Sequence, residues 1–312
     1  ISAIRYLDDK GIPNNKHEDY KYCNIEAVLR KEFKAVEQGF NELTNADIAP
    51  LKIDEAINLV VVNGVYNEEL SEKMIVKGLT VNSLNELSSS EKTLLCSQAK
   101  SDTDALIALN TAFSANGLFL QIDRNNIIPM PLHVIYVNSG NANIVTNTRS
   151  FINVQANAQA TLIESFYNIG SAKVFSNFVS EKFVGENAKL TCHTFQNEGA
   201  LSYSVNTNQV KINKYSNYSN TTMTLSGELV RNNHNVVLAD SNCEAHLNGL
   251  FISSGTQQID NHTLIDHQMP NCESNELYKG IAKDKSAGTF NGKIFVRKDA
   301  QKTNAYQSSK NI

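Results

Sequence analysis

The sequence has no long apolar run and no excess of positive charge. The segment Ile57–Val62 around Leu59, apolar except for Asn58, is the size of one strand and far shorter than the roughly 18 to 20 residues that a membrane-spanning helix needs. A net charge of -4 provides no basic field to collect phosphates. With 312 residues, 41% of them hydrophobic, the chain can bury a core. We therefore expect a globular protein whose partners include neither nucleic acid nor a membrane.

Cysteine is scarce, and the number of cysteines is odd. The five, Cys23, Cys96, Cys192, Cys243 and Cys272, have none of the tight spacings of a disulfide framework. Free thiols persist in reducing compartments, so the sequence predicts reduced cysteines in a cytoplasmic protein.

Several catalytic signatures are missing. The sequence contains neither a Gly-x-Ser-x-Gly nucleophile elbow nor a His-Glu-x-x-His metal motif. The segment 288–293 superficially resembles a phosphate loop, but Ile294 stands where a hydroxyl residue would hold magnesium, and a strand follows instead of a helix. The chain is not expected to hydrolyse ATP, and the sequence indicates no catalytic residue.

Two of the five cysteines and three of the seven histidines lie close together near the C-terminal end. Zinc ligands must converge on a tetrahedron, usually from two paired clusters. Cys243 and His246 are an odd number of residues apart, as are His262 and His267, and such pairs point to opposite faces of a continuous strand. Cys272 follows a proline in an expected turn. The sequence predicts structural roles for these five residues and indicates no metal-binding or cofactor-binding residue.

The first third of the sequence has the signals of helices. Ser2 and Asn24 are placed to cap two helices, the first ending near Lys10 and the second carrying apolar residues at helical spacing as far as Val36. Both helices precede a region of mixed character.

Three further signals complete this part of the chain. Asn63-Gly64 between valine-rich flanks predicts a hairpin. Ser83 with Glu86 predicts a capping box, and residues 104–114 predict a helix. We therefore assign residues 1–117 to an N-terminal region of α-helical or mixed structure.

From residue 118 onward the pattern changes to short β segments separated by asparagine, glycine, serine and aspartate. Their starts recur roughly every 10 to 15 residues without a helix-length pattern between them, which is typical of a sandwich, a barrel or a solenoid. The predicted strands are 118–122, 132–137, 160–166, 189–195, 202–211, 221–229, 235–239, 245–251, 258–265, 276–282 and 288–297.

Two features favour the solenoid. Segments such as 221–225 and 291–296 mix small polar and β-branched residues. Stacked coils whose strands have one buried and one solvent-exposed face require this mixture. Asparagine makes up about one residue in eight; it tolerates left-handed turns and can stack in hydrogen-bonded ladders between coils. The base composition of the source genome would also explain its abundance. We predict a β-solenoid core over residues 118–312.

Four stretches resemble the SufB/SufD family of the SufBCD iron-sulfur cluster assembly complex. They are Gly11-Ile12-Pro13, Glu18-Asp19-Tyr20-Lys21-Tyr22, Val62-Asn63-Gly64-Val65-Tyr66 and, above all, the segment from Ser274 to Ile312. Within that last segment, Glu276-Leu277-Tyr278-Lys279-Gly280 and Gln301-Lys302-Thr303-Asn304-Ala305 are more similar to the SufD branch than to SufB.

The resemblance implies a mainly β fold in which a right-handed parallel β-helix follows the small α-helical N-terminal region. It also implies a C-terminal helical domain that binds the SufC ATPase. The residue pattern up to Ile312 is still that of a β-strand. We therefore expect that domain and the family's late Cys-Ser-His-Gly type motif to be absent from this chain. No cysteine or histidine here matches the motif, so no cluster-binding residue is transferred.

The same resemblance implies a non-catalytic scaffold that pairs with SufB and is coupled to SufC. No cofactor is expected on this chain alone, because the iron-sulfur cluster would be assembled transiently at the SufB-SufD interface. A β-helix cut at Ile312 would leave unpaired strand edges, so we expect a homodimer through C-terminal β-helix strands when the chain is alone.

Two alternatives come from other functional classes. One is a secreted β-helix enzyme or adhesin acting on polysaccharide, which would need two or three carboxylates on one face. Asp240, Glu244, Asp260 and Asp266 are spread over strand ends and are interpreted as solvated turn acids. The other is a metal-binding protein built on the histidines and cysteines near the C-terminal end.

Overall fold

The helices lie in the N-terminal part of the chain. The structure, a computed structural model, describes residues 2–31, 33–36, 43–114 and 116–312. Within these ranges the α-helices are α1 (Ser2–Lys10), α2 (Ile25–Leu29), α3 (Asn45–Ile48), α4 (Ser89–Leu94) and α5 (Ala105–Phe113), with 3-10 turns at Glu18–Tyr20, Ala49–Leu51 and Leu84–Glu86.

Side-chain caps fix the starts of several helices. Asn24 accepts a hydrogen bond from the backbone of Ala27, and Asp104 accepts from Leu106 and Ile107, so both predicted helix starts are confirmed. The predicted capping box is wrong, because Ser83 ends a strand and caps only a 3-10 turn. A capping box is formed instead by Ser88 with Glu91.

The second predicted helix is also too long. It ends at Leu29, and Lys34–Ala35 forms the short strand β1, which pairs with a strand of the core. Phe33 turns toward the rings of Phe175 and Tyr203, at centroid distances of 6.3 and 6.4 Å. Tertiary packing therefore replaces the helical continuation that the apolar spacing predicted.

The remaining strands make two sheets. They are β2 (Ile57–Val62), β3 (Val65–Asn67), β4 (Leu79–Ser83), β5 (Leu118–Ile122), β6 (Leu132–Ser139), β7 (Ile144–Val154), β8 (Gln159–Ile169), β9 (Val174–Val184), β10 (Lys189–Asn197), β11 (Ser202–Ile212), β12 (Asn217–Ser226), β13 (Leu229–Leu238), β14 (Glu244–Ser253), β15 (Gln258–His267), β16 (Glu273–Ala282), β17 (Ala287–Val296) and β18 (Asn304–Asn311).

Successive strands alternate between the sheets. Sheet 1 has the order β17-β15-β13-β11-β9-β7-β5-β4, with β1 beside β7, and sheet 2 has the order β18-β16-β14-β12-β10-β8-β6-β2-β3. Every pairing between β5 and β18 is parallel, whereas β2–β3 and β4–β5 are antiparallel. The predicted solenoid is confirmed, and the sandwich and barrel alternatives are wrong.

The antiparallel β2–β3 pair confirms the predicted hairpin. Asn63 and Gly64 join its strands with φ values of 51° and 85°, as a type I′ turn requires. The predicted boundary between residues 117 and 118 stays a prediction. Strands β2 to β4, which precede it, lie in the same two sheets as the later strands.

After residue 117 the sequence pattern missed three strands, β7, β9 and β18, and before it β1 and β4. One predicted strand, 221–229, runs across a corner between β12 and β13. Strands β7 and β9 are buried on both faces because the N-terminal region covers their outer side. They therefore lack the alternation of apolar and polar residues that marks a half-buried strand. Buried charged residues within these strands, such as Arg149 and Glu181, obscure the strand pattern further.

Asparagine has a structural role at one corner of the coil. Where each strand of sheet 1 leads into sheet 2, one residue has a left-handed backbone: Asn125, Asn157, Asn187, Tyr215, Asn242, Asn271 and Lys302. We call this bend the asparagine corner. The side chains of Asn125, Asn157 and Asn187 are linked by hydrogen bonds of 2.8 and 2.9 Å. The predicted asparagine ladder is therefore confirmed here.

Tyr215 departs from this pattern, since its φ of 57° places a bulky side chain in a conformation that asparagine tolerates better. Tyr215→Asn is expected to raise the free energy of unfolding by about 1 kcal/mol. The midpoint and slope of urea unfolding measure this change. Asn242→Ala, which removes asparagine from the equivalent corner position one coil later, should lower the free energy of unfolding. A Tyr215→Asn protein that is no more stable than wild type would contradict the interpretation.

Candidate functional site

A column of polar side chains runs through the middle of the solenoid. Ser150, Ser180, Asn208, His234 and Thr263 occupy equivalent register positions on consecutive strands of sheet 1, and all are buried. Sheet 2 faces them with further polar groups. Buried polar groups need hydrogen-bond partners, so the side chains of this column must find theirs within the protein.

Lys182 and Glu164 form a buried ion pair beside that column. Their charged atoms are 3.1 Å apart and both side chains are 1% exposed. The Lys182 ammonium also donates to Ser180 Oγ at 3.0 Å and to Asn208 Oδ1. Such a pair needs several hydrogen bonds to offset the cost of removing two charges from water. The ammonium has them, whereas Glu164 Oε1 is buried without a hydrogen-bond partner.

Two histidines are held neutral by burial. His234 Nε2 lies 2.9 Å from the hydroxyl of Tyr218, and burial, with a smaller contribution from the Lys182 charge, lowers the pKa of His234 to about 3. His133 lies between Asn58 Oδ1 at 2.8 Å and Ser165 Oγ at 2.9 Å. Burial lowers its pKa to about 4.

A second set of charges lies on the outer face of sheet 1, where the N-terminal region packs. Its members, Arg231, Asp260, His262, Asp19 and Lys293, are called the Arg231 cluster. The Arg231 guanidinium donates to Asp260 at 2.7 Å and to the Asp19 carbonyl at 2.6 Å. His262 Nε2 is 2.9 Å from Asp260, and Lys293 pairs with the Asp19 carboxylate at 2.8 Å.

The Arg231 cluster holds the polar-aromatic link at Glu18–Tyr20 against the solenoid. The guanidinium stacks over the Tyr20 ring at 4.1 Å, and the Tyr20 hydroxyl donates to Asp104 at 2.8 Å. This link carries part of the family resemblance noted in the sequence. Its role in the fold is to join α1 and α2 to sheet 1.

Glu181 forms a second anchor on the same face. Its carboxylate accepts hydrogen bonds from the backbone amides of Cys96, Gln98 and Ala99 at 2.7, 2.9 and 3.1 Å. It also pairs with Arg149, and the two side chains are 0% and 3% exposed. The segment after α4 is thus fixed to the solenoid by one buried carboxylate.

A polar groove of about 430 Å³ separates these two anchors. Its lining includes Asp104, Gln209, Arg231, His262 and Lys293 but neither cysteine nor serine. His262 Nε2 lies 2.9 Å from Asp260 and 3.2 Å from the Arg231 guanidinium, so the partners of this nitrogen are charged side chains and not a hydroxyl group. The arrangement favours a structural junction over a hydrolytic site.

Of the four carboxylates considered for polysaccharide cleavage, Asp260 and Asp266 are buried residues within β15, so their interpretation as solvated turn acids is wrong. Asp260 and Asp266 both point outward from β15, but each is bound to an arginine, Arg231 and Arg297 respectively, at 2.7 Å. Glu244 is exposed on the outer face of β14 in the other sheet. No pair of these acids is placed to flank a glycosidic bond.

The histidines and cysteines singled out in the sequence separate into outer and inner positions. His262 faces outward on β15 and His267, the last residue of that strand, faces inward, so the parity argument is confirmed for this pair. His246 is half exposed on β14, whereas Cys243 is buried at the corner before it.

The structure brings together three residues that the sequence analysis treated separately. Cys243, Cys272 and His267, called the corner thiol cluster, are all fully buried next to the asparagine corner. The hydrogen bond from the Cys243 thiol, together with His267, lowers the pKa of Cys272, and the bond to Cys272 raises the pKa of Cys243. The signal that could have shown this is spacing, since the two cysteines are one coil apart.

Within the described ranges, no three His, Cys, Asp or Glu side chains are arranged to hold a metal ion. Of the helices that the structure describes, none is long and apolar enough to span a membrane.

Two family profiles match almost the whole chain. Residues 1–134 match the SufBD protein N-terminal region, and residues 136–312 match the SufBD core domain of SUF system FeS cluster assembly. Among similar proteins, an iron-sulfur cluster assembly SufBD family protein of Synechocystis is 26% identical over 323 residues, which cover 99% of this chain and 71% of that protein. SufD of Escherichia coli is 25% identical over 312 residues, covering 99% and 72%. SufD of Bacillus subtilis is 25% identical over 229 residues, covering 70% and 51%.

The Glu181 anchor generates a prediction about stability. Glu181→Gln keeps the shape of the side chain but leaves the buried Arg149 without its counter-charge, so it should lower the free energy of unfolding by about 3 kcal/mol. Limited proteolysis should cut the segment around residues 96–104 before the solenoid. Glu186→Gln, at an exposed carboxylate on the next corner, is the matched control, and equal behaviour of the two variants would refute the anchor.

The two buried histidines generate a prediction about acid. The unfolded chain binds these protons near pH 6.5, whereas the folded chain binds them only near pH 4 and pH 3, so stability is lost as the pH falls below about 6.5. At pH 5 the loss should be about 2 kcal/mol for each histidine.

Urea unfolding at pH 7.5 and pH 5 measures this loss. His133→Gln should remove about half of the two-histidine contribution, because glutamine does not take up a proton. His193→Gln, at an exposed position on β10, should leave the loss unchanged. A His133→Gln protein with the full acid sensitivity of wild type would disprove the assignment.

Proposed function

Because this chain belongs to the SufBD family of the SUF system for FeS cluster assembly, we propose that it is a non-catalytic scaffold subunit of that machinery. In this proposal it pairs with a SufB-type subunit and is coupled to a SufC-type ATPase in the cytoplasm. The chain takes part in iron-sulfur cluster assembly as a member of its family. We propose further that the SufB-type subunit carries the cluster chemistry while this chain acts as the scaffold.

The observation that carries the proposal is the unbroken parallel ladder from β5 and β6 to β17 and β18. Each inner strand is hydrogen-bonded on both sides to the same positions of neighbouring coils, so a displacement at one end is resisted along the whole stack. The Arg231 cluster and Glu181 join the N-terminal region to the same stack. A scaffold that transmits movements of an ATPase to a partner needs this kind of rigid body.

The charged groups of this chain support a structural role. Arg231, Glu181 and Lys182 each have their partners within the chain, and His262 in the polar groove is bound by Asp260 and Arg231. The iron-sulfur cluster is then cargo assembled transiently at the joint with the SufB-type partner. This chain contributes shape to that joint and no cofactor of its own.

We also propose that two copies pair through the C-terminal β-helix strands when the chain is alone. The segment from Ser274 to Ile312 carries the strongest family resemblance, and it presents Phe295 and Tyr306 with 48% and 65% of their surface exposed. Strand edges add a second chain through backbone hydrogen bonds, with exposed side chains selecting the partner.

Anaerobic co-expression with the SufB-type and SufC-type proteins of the same source tests the proposal. This chain should co-purify with the SufB-type subunit, and iron and sulfide should be stoichiometric only when that subunit is present. Tyr306→Asp should weaken the association of two copies of this chain at least about tenfold, because it places a charge in the interface between them.

Tyr215→Asp is the matched control, since Tyr215 is a similarly exposed tyrosine, 55%, at the asparagine corner. It should leave pairing unchanged. Stoichiometric iron in the purified lone chain, or no association with the SufB-type subunit, would overturn the scaffold proposal.

A further inference from the structure

The corner thiol cluster has the backbone placement of a disulfide. Cys243 and Cys272 each follow a left-handed asparagine, Asn242 and Asn271, in consecutive coils. The Glu273 amide donates to the Cys243 carbonyl at 2.9 Å, so the two cysteines are direct neighbours in the ladder. Adjacent strands lie about 4.8 Å apart, within the Cα separation of about 4.4 to 6.8 Å that a disulfide spans.

The sulfur atoms of the pair point to the same place. Both approach the carbonyl oxygen of Asp240, Cys243 Sγ at 3.0 Å and Cys272 Sγ at 3.2 Å. Cys243 Sγ is also 3.0 Å from the Asn213 carbonyl oxygen. Because the two thiols share one acceptor, a bond between them needs side-chain rotation but no change in register.

His267 supplies a base to this pair. Its ring is buried, Nε2 is 2.9 Å from Ser274 Oγ, and Nδ1 is buried without a hydrogen-bond partner. A buried imidazole nitrogen without a partner is costly unless it serves a neighbour. His267 lowers the pKa of the neighbouring Cys272 thiol and so favours its thiolate form.

The other buried thiols lack this environment. Cys192 lies inside the solenoid, and burial raises its pKa to about 12. Burial likewise raises the pKa of Cys23 to about 12. Burial also raises the pKa of the half-buried Cys96 thiol, so Cys272 is the one thiol of the five whose pKa is lowered, and we expect reactivity to be confined to the corner thiol cluster.

We propose that Cys243 and Cys272 are a peroxide-reactive dithiol that closes to a disulfide between consecutive coils. The Cys272 thiolate attacks one oxygen of a hydroperoxide, the oxygen-oxygen bond breaks, and Cys272 becomes a sulfenic acid as hydroxide or alkoxide leaves. The Cys243 sulfur then attacks the Cys272 sulfur, and its thiol proton leaves with the displaced hydroxide as water. With hydrogen peroxide, two thiols and one peroxide give one disulfide and two waters.

The reacting groups are buried, but Gln268 and Asn271, their neighbours in the chain, are exposed, so this corner borders solvent. We expect an oxidant as small as hydrogen peroxide to reach the thiols here. Larger disulfides such as oxidised glutathione should react far more slowly. The bond would cross-link neighbouring coils at a place where the ladder already fixes them.

Hydrogen peroxide treatment of the reduced, purified chain tests this inference. The intact mass should fall by two hydrogen atoms, and cleavage after Glu244, which lies between the two cysteines, should give peptides that stay joined until reduced. Cys243→Ser should instead accumulate a sulfenic acid at Cys272 that a dimedone-type reagent traps. His267→Gln should slow the reaction at least about tenfold while Cys272 remains present.

Cys192→Ser is the matched control, because Cys192 is equally buried but has no thiol neighbour in the next coil, and it should react like wild type. Circular dichroism establishes that each variant is folded before the rates are compared. Corner thiols that stay reduced in folded wild type, or oxidation of Cys192 at the same rate as Cys272, would overturn the proposal.

Discussion

The hydrogen bonds between equivalent positions of consecutive coils are the constraint on which the rest of the structure depends. Because the strands are parallel and in register, residues one coil apart lie next to each other, so similar residues at equivalent positions form stacks. This rule explains the asparagine corner, the polar column of Ser180 and Asn208, and the meeting of Cys243 with Cys272. Each is a consequence of coil length more than of local sequence.

Charge pairing explains how a largely polar N-terminal region is held on a β surface. Arg231 and Glu181 are both buried, and each binds backbone groups of the N-terminal region as well as a charged side chain. Such anchors contribute more to the specificity of docking than to net stability. The free energy needed to remove the charges from water is nearly as large as the attraction between them. For a scaffold that transmits movement, one defined arrangement of region against solenoid matters more than a large stability.

The solenoid is mechanically continuous but chemically uneven. Its outer charges are satisfied within the chain, which supports a structural role in cluster assembly. At the corner thiol cluster a lowered thiol pKa, that of Cys272, coincides with a buried imidazole nitrogen, His267 Nδ1, that has no hydrogen-bond partner. Reactivity at that corner is compatible with scaffolding because it requires no movement of the ladder.

The sequence by itself determined the class of the fold and the family. Capping residues such as Asn24 and Asp104, the Asn63-Gly64 turn, and half-buried strands with alternating polarity all act through neighbours in the chain, so local patterns were sufficient to predict them. Tertiary structure alone decided the double-buried strands β7 and β9, the early end of α2 and the pairing of Arg149 with Glu181. It also decided which thiols meet, since contacts between Cys243, Cys272 and His267 depend on the number of residues in one coil, and no local pattern encodes that number.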